Sequence, residues 1–222
     1  LLRKREGSYN KYGELTELRQ FYTLYEYSEN TITYDEYGNI SSVKDSIGAT
    51  LSYIYEEDEN MFVKEISQSG KETDTYKSYI DYNIEYQYKE KETDCNGNFI
   101  LYKYDDWQRI VKIFTSYDPT IPAVSYEYVT PNKDSSGKHA LWYAITNNKV
   151  LFDHDDETVM KTVLQVDGLG RVCRTAKTGL VYRDGTKISG WNASGAVEYD
   201  KKGRTVKEGM TEFISGTLED LL

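Results

Sequence analysis

A short pattern recurs along this chain and limits how it can fold more than any other feature: an aromatic or apolar residue, Asp, two variable residues, Gly, Arg or Asn, then an apolar or β-branched residue. It is complete at Tyr34-Asp35-Glu36-Tyr37-Gly38-Asn39-Ile40, at Val166-Asp167-Gly168-Leu169-Gly170-Arg171-Val172 and at Tyr199-Asp200-Lys201-Lys202-Gly203-Arg204-Thr205. Looser copies stand at Tyr9-Asn10-Lys11-Tyr12-Gly13-Glu14-Leu15, at Thr93-Asp94-Cys95-Asn96-Gly97-Asn98-Phe99 and at Tyr104-Asp105-Asp106-Trp107-Gln108-Arg109-Ile110, where Gln108 replaces the glycine. Self-similarity of this kind marks a repeat architecture. The pattern itself has the chemistry of a chain reversal: the Asp carboxylate accepts backbone N–H groups two residues on, and Gly supplies a positive φ. The residues after the glycine then start a return strand. The copies follow no fixed spacing and fall on both sides of every candidate break, so one continuous body over 1–222 is expected.

Between the reversals, period-two alternation predicts strands at 21–27, 50–55, 84–88, 99–104, 110–114 and 124–129. Polar punctuation predicts loops at 56–60, 67–75, 131–138 and 178–191. Helical spacing is confined to 218–222. Composition supports sheet, because 22 Tyr against 6 Phe and 3 Trp accompany a hydrophobic fraction of only 38%. Disordered chains are poor in aromatic residues as well as apolar ones. Tyrosine, with an apolar body and a polar tip, suits a half-buried pleated surface. The expected class is all-β, an antiparallel meander of stacked β-hairpins with little helix.

The formal net charge of −10 disfavours nucleic acid as a partner, since phosphate binding requires clustered Lys and Arg. No apolar run reaches the length of a membrane-spanning helix, so membrane insertion is not expected. The start, Leu1-Leu2-Arg3-Lys4-Arg5, has neither Met nor a signal-like apolar core, which reads as a piece of a larger protein. Cys95 and Cys173 lack any CxxC pairing and read as unpaired residues.

Candidate chemistry is sparse. His139 and His154 sit in no metal-ligating or nucleophile-base spacing. The run Asp153-His154-Asp155-Asp156-Glu157 offers clustered oxygens, but an acidic run in a loop is ordinarily solvated. The segment from Asp94 to Asn98 has its glycine in the fourth position and not the sixth required of a calcium loop. Gly168 and Gly170 precede no helix, which removes a phosphate-binding reading. Tyr53 with Tyr55, Tyr86 with Tyr88 and Tyr126 with Tyr128 have the spacing of a sugar-stacking face, although packing on one another is the favoured reading. Trp107, Trp142 and Trp191 read as core or sheet-face anchors, with an exposed, ligand-touching Trp191 as the alternative because it stands in a polar stretch. With no positioned acid, base or nucleophile, no enzymatic activity, catalytic residue, metal or cofactor is expected.

The pattern resembles the YD repeats of the Rhs family, which are named for a Tyr-Asp pair followed by Gly-Arg. That family includes bacterial Rhs toxins, the B/C shell of insecticidal toxin complexes, and teneurins. The resemblance is carried best by Glu157-Thr158-Val159 leading into the Val166–Val172 copy, and by Ala196-Val197-Glu198 leading into the Tyr199–Thr205 copy. It implies an antiparallel ribbon that spirals into a hollow shell around a toxic domain, hence a structural scaffold in a secreted or cell-surface protein. The implied partners are neighbouring repeats of the same polypeptide and an enclosed toxin domain. The alternative is an extracellular adhesion module recognising carbohydrate or a cell-surface protein through tyrosine-rich faces. The turn residues expected to carry the repeat are Tyr34, Asp35, Gly38, Asn39, Asp94, Gly97, Tyr104, Asp105, Arg109, Asp167, Gly170, Arg171, Tyr199, Asp200, Gly203 and Arg204. Family members that cut themselves carry a DPxGL-like motif. Here Asp118-Pro119 is followed by Thr120-Ile121-Pro122, so no protease residues are carried over.

Overall fold

The computed structural model describes residues 3–70, 75–130, 142–149 and 159–221. The chain divides into two compact units, Leu1–Tyr102 with Thr115–Tyr117, and Lys103–Phe114 with Asp118–Leu222. The first contains β1 (Lys4–Tyr9), β2 (Leu15–Phe21), β3 (Tyr27–Tyr34), β4 (Ile40–Lys44), β5 (Thr50–Tyr55), β6 (Val63–Ser69), β7 (Thr75–Asn83), β8 (Tyr88–Thr93) and most of β9 (Phe99–Tyr104). Within it every strand pairs antiparallel with the next in sequence. The second holds β10 (Ile110–Thr115, to Phe114), β11 (Val124–Val129), β12 (Trp142–Lys149), β13 (Val159–Val166), β14 (Val172–Arg183), β15 (Thr186–Ala193), β16 (Val197–Tyr199), β17 (Thr205–Glu208), β18 (Glu212–Ser215) and α1 (Leu218–Leu221). Strand order is again chain order to β15, after which β18 takes the next place. The hairpin β16–β17 forms a separate two-stranded sheet. The chain is thus all-β and antiparallel, with one short helix among the described residues, as its sequence predicts.

In the first unit the two faces differ in chemistry. Register places Ile32 opposite Val43, Val43 opposite Leu51, and Tyr53 opposite Ile66. With Leu18, Tyr76, Ile80 and Ile100 these make one apolar face. The other face carries Glu17, Arg19, Glu29, Glu65 and Lys77, with Arg19 paired to Glu29 at 2.6 Å and Lys77 to Glu65 at 2.7 Å. Pairs across strands are the unit of sheet stabilisation, and solvent screens these exposed ones. No residue of the apolar face is buried; Glu56 is the one buried residue among those described in this unit.

The second unit covers its apolar face. Ile145, Val163, Ala176 and Ala193 lie in register across four strands, and Trp191 and Leu221 complete a buried cluster with Tyr143, Ile214 and Leu218 packed against it. The cover is α1. Its start is held by Asp220, whose Oδ2 accepts both the Thr217 N–H and the Thr217 hydroxyl, at 2.6 and 2.9 Å. The Trp191 indole donates to the Thr217 carbonyl at 2.9 Å, and Arg174 donates to the Leu221 carbonyl at 3.3 Å. Gly190 is required here, because a Cβ would collide with the Ile214 carbonyl and the Phe213 ring.

Several sequence expectations are corrected. The predicted strand at 21–27 is a hairpin turn, in which the Thr23 hydroxyl accepts the N–H groups of Tyr25 and Glu26 and the Tyr22 N–H donates to the Glu26 carbonyl. The period-two aromatics there straddle a reversal. The predicted strand at 84–88 is a loop up to Gln87, held by Asn83 Oδ1 accepting the Tyr86 N–H. The predicted loop at 178–191 is the opposite case, a long hairpin of β14 and β15. Its two-residue turn Asp184-Gly185 has positive φ at both positions (50° and 76°), the Asp-Gly signature of a type I′ reversal. Trp191 is buried, as the anchor reading expects, whereas Trp107 is 77% exposed and Trp142 half exposed. The expected loop at 131–138, the acidic run at 153–157, His139 and His154 lie outside the described residues.

Gly170 (φ 76°) and Gly203 (φ 81°) close reversals, and Gly168, which has no positive φ, sits two residues before Gly170. Gly170→Val and Gly203→Val should each lower stability in urea unfolding by about 1–2 kcal/mol or more, the cost of forcing a side chain into the left-handed region. Gly168→Ala should leave it within about 0.5 kcal/mol. Unchanged midpoints for both valine variants would refute the turn assignment.

Candidate functional site

Every copy of the pattern builds the same loop. In the Asp167 loop, Oδ1 accepts the N–H groups of Leu169 (2.9 Å) and Arg171 (3.0 Å), and Oδ2 accepts Arg171 Nε (2.7 Å) and pairs with its Nη2 (2.6 Å). The Asp167 N–H donates to the Arg171 carbonyl, and the Gly170 N–H donates back to the Asp167 carbonyl. Asp105 with Arg109, and Asp200 with Arg204, repeat this arrangement. Asp35 with Asn39, and Asp94 with Asn98, replace the guanidinium by a side-chain amide. Asn10 takes the same place with Glu14 as its partner. The position of Gly38 and Gly97 is held in the Asp105 loop by Gln108, itself at φ 62°. A single carboxylate thus satisfies the loop N–H groups that a tight reversal leaves without partners.

A further loop has the same bonds and does not fit the full pattern. Asp45 Oδ1 accepts the N–H groups of Ile47 (3.0 Å) and Ala49 (2.8 Å), and Gly48 has φ 95°. Asp-x-x-Gly is its signal in the sequence; Lys44 in place of an aromatic residue, and Ala49 in place of Arg or Asn, conceal it. Glu56 makes a longer variant, its carboxylate accepting the N–H groups of Asp58, Glu59 and Met61.

A tyrosine near the end of a strand has a separate task, which spans two strands; Tyr34 and Tyr199 stand before an Asp, Tyr55 before Glu56 and Tyr128 before Val129. Tyr34 donates its hydroxyl to the Leu15 carbonyl (2.9 Å), Tyr55 to Ile40 (3.1 Å), Tyr128 to Ile110 (2.9 Å) and Tyr199 to Val172 (2.8 Å). Each acceptor lies five residues after the Asn or Asp that opens the preceding loop on that rim, so each tyrosine fastens one hairpin to the last. The residue after the glycine adds a second fastener. The Arg109 guanidinium lies 4.2 Å from the Tyr128 ring centroid and Arg171 lies 4.4 Å from that of Tyr199, while Asn39 donates to the Asn60 carbonyl at 2.7 Å. Tyr104 closes β9 directly before the Asp105 loop.

In the first unit the rim separates the loops preceded by a tyrosine from those that are not, while in the second Val166 stands at the same register shift without one. Tyr9, Tyr34, Tyr55 and Tyr199 all sit at a register shift, where the return strand has one extra residue. Such bulges bend a strand and increase its twist. The pairings at the Asp45 and Asp94 loops, which return on the opposite rim of the first unit, show no shift, and Lys44 and Thr93 precede them. Thr93-Asp94 is therefore a loop of the other rim and not an eroded copy.

The electrostatics follow from the bonds. The Asp94 carboxyl is held below the usual range by the Asn98 amide and by backbone N–H groups, and Asp167 chiefly by Arg171. Asp200 is lowered by the Arg204 N–H and side chain, with a further contribution from Arg171 of the neighbouring loop. For Asp35 and Asp105 desolvation is the largest single influence and pushes upward, but the N–H and side-chain donors together outweigh it. Cys95 is exposed and Cys173 is buried, which raises the latter's thiol pKa. Among the described residues no group of His, Cys, Asp and Glu is placed to hold a metal ion. Tyr86 stacks on Tyr88 at 6.1 Å and Tyr126 on Tyr128 at 6.5 Å.

These features define a class: an antiparallel meander whose Asp-loop hairpins are fastened one to the next by tyrosine hydroxyls and arginine or asparagine side chains. No family model and no curated protein matches the sequence. Solved structures match the fold. The crystal structure of TcdB2-TccC3-Cdc42 superposes with a TM-score of 0.65 at 12% identity, over 95% of this chain and 14% of that one. The crystal structure of TcdB2-TccC3 gives 0.62 at 14% identity, over 93% of this chain and 12% of the other. The chain is thus similar in fold to a segment of these toxin-complex proteins and spans only a small part of their length.

Two outcomes are expected. The lowered aspartates stabilise the fold fully above the unfolded pKa of about 3.9 and progressively less as pH falls through their folded values. The melting temperature should therefore hold down to about pH 4 and drop below it; a flat profile to pH 2 would contradict the role given to the carboxylates. A double-mutant cycle of Tyr199→Leu, which removes the ring, and Arg171→Ala should return a coupling of at least about 0.5 kcal/mol, as expected of contacting residues, and additive losses would show that the ring and the guanidinium do not act together.

Proposed function

We propose that this chain is a non-catalytic wall segment of a secreted or cell-surface bacterial protein of Rhs type, which encloses or presents a toxin or effector domain. The observation that carries the reading is the fastening of each hairpin to its predecessor. In such a construction the tyrosine and the residue after the glycine are engaged by the neighbouring hairpin and the aspartate by its own loop, so the motif residues serve the fold. The fold likeness to TcdB2-TccC3, which covers nearly the whole chain, supports it. So does the apolar face of the first unit, an uncovered surface suited to contact with an enclosed polypeptide. The adhesion alternative gains less support, since Tyr86 with Tyr88, and Tyr126 with Tyr128, place their rings against each other.

Electron cryo-microscopy of the complete gene product tests this directly. The expected result is a continuous wall in which Val43, Leu51 and Ile66 face an enclosed or docked domain. A map in which these residues face bulk solvent, with the segment standing apart from other repeats, would overturn the proposal.

A further inference from the structure

Within the Asp loop the second residue after the aspartate gives the reversal its backbone N–H and no side-chain hydrogen bond, as Tyr12 and Tyr37 do, although the Tyr12 ring meets Lys11 and the Trp107 ring meets Arg109. Asn96 and Lys202 serve equally well in that post, so nothing in the reversal demands an aromatic side chain there. In the first unit the loops after β1, β3, β5 and β7 all return on one rim, because alternate strands run in opposite directions. Each of these four loops exposes a large side chain: Tyr12 at 74%, Tyr37 at 62%, Met61 at 64%, and Tyr86 at 48% with one face of its ring against Tyr88 and the rest open. Successive tips are two strands apart, about 9.5 Å. The same loops carry Glu36, Asp58, Glu59 and Glu85, all exposed, with Lys11 as their one cation.

A partner for this rim must present apolar groups at the same interval. A β-strand repeats its same-side residues at about 6.7 Å and an α-helix its turns at 5.4 Å, so neither keeps step with the row. A polyproline II helix has three residues per turn and rises about 3.1 Å per residue, which repeats at about 9.3 Å. Its stiffness lowers the entropy lost on binding, and aromatic-lined surfaces are its usual dock. We propose that this rim binds a proline-rich segment with proline at every third position and basic residues between, the prolines resting on Tyr12, Tyr37, Met61 and Tyr86. The acidic side chains beside the tips complement the basic residues. This inference goes beyond the scaffold reading and does not depend on it.

Fluorescence anisotropy with the full 222-residue chain and a fluorescein-labelled peptide of about five Arg-x-Pro triplets tests it. Saturable binding is expected, weakened about fivefold or more by Tyr37→Ala and further by Tyr12→Ala with Tyr37→Ala, as for interface anchors. Ile47→Ala, at the equivalent position on the opposite rim, should leave affinity unchanged. Circular dichroism should show all variants folded, since the substituted side chains make no loop bonds. Equal affinity for a peptide of the same composition with irregular proline spacing would overturn the proposal. So would retained affinity in the double variant, or binding of a β-linked oligosaccharide in place of the peptide.

Discussion

The carboxylate that opens each loop is the interaction on which the rest of this molecule depends. In the first unit Glu56 is the one buried residue among those described, so the usual adhesive of a folded domain, a close-packed apolar interior, is nearly missing. What remains must come from strand pairing, from half-covered side chains and from the reversals. A reversal strands several backbone N–H groups, and leaving them unpaired costs more than making any one of the bonds gains. The aspartate takes two of them on one oxygen and turns the other toward the residue after the glycine. That second contact orients Arg109 or Arg171 toward the next tyrosine, so satisfying the loop and joining the hairpins are one act.

The sequence disclosed the local half of this arrangement and hid the other half. Asp and Gly act within five residues, so the reversals at Asp35, Asp94, Asp105, Asp167 and Asp200 were legible, as was the antiparallel meander they imply. The partner of Tyr34 is Leu15 and that of Tyr199 is Val172, contacts that depend on strand register and on which rim a loop occupies. Neither quantity is encoded in the motif itself. Alternation misled at Phe21 to Tyr27 because period two persists through a reversal when the turn residues happen to be aromatic. At Thr178 to Trp191 the error was the opposite: glycine, threonine and serine within strands imitated a loop, and Asp184-Gly185 was the cue that located the real turn.

The two units show what such a sheet does with its apolar face. In the second, Thr217 to Leu221 folds back as a capped turn, buries Trp191 and Leu221, and leaves a small conventional core. In the first, Val43, Leu51, Tyr53 and Ile66 present the same kind of surface with nothing upon it among the described residues. Since both units share the Asp-loop construction, covering the face is not a condition for forming the sheet. The face is therefore left without a cover among the described residues while the sheet still forms.

Separation of tasks within the loop makes this economy possible. The aspartate, the glycine and the residue after it are fixed by geometry, and the tyrosine before them is fixed by the previous hairpin. The two residues between aspartate and glycine are left over. Lys201, Lys202, Asn96, Trp107 and Leu169 all occupy those positions without disturbing the bonds around them. Stability in a repeat array is a sum of units and their nearest-neighbour interfaces, so changes at the free positions cost the sheet almost nothing. A rim assembled in this way can change what it displays while the wall behind it stays the same.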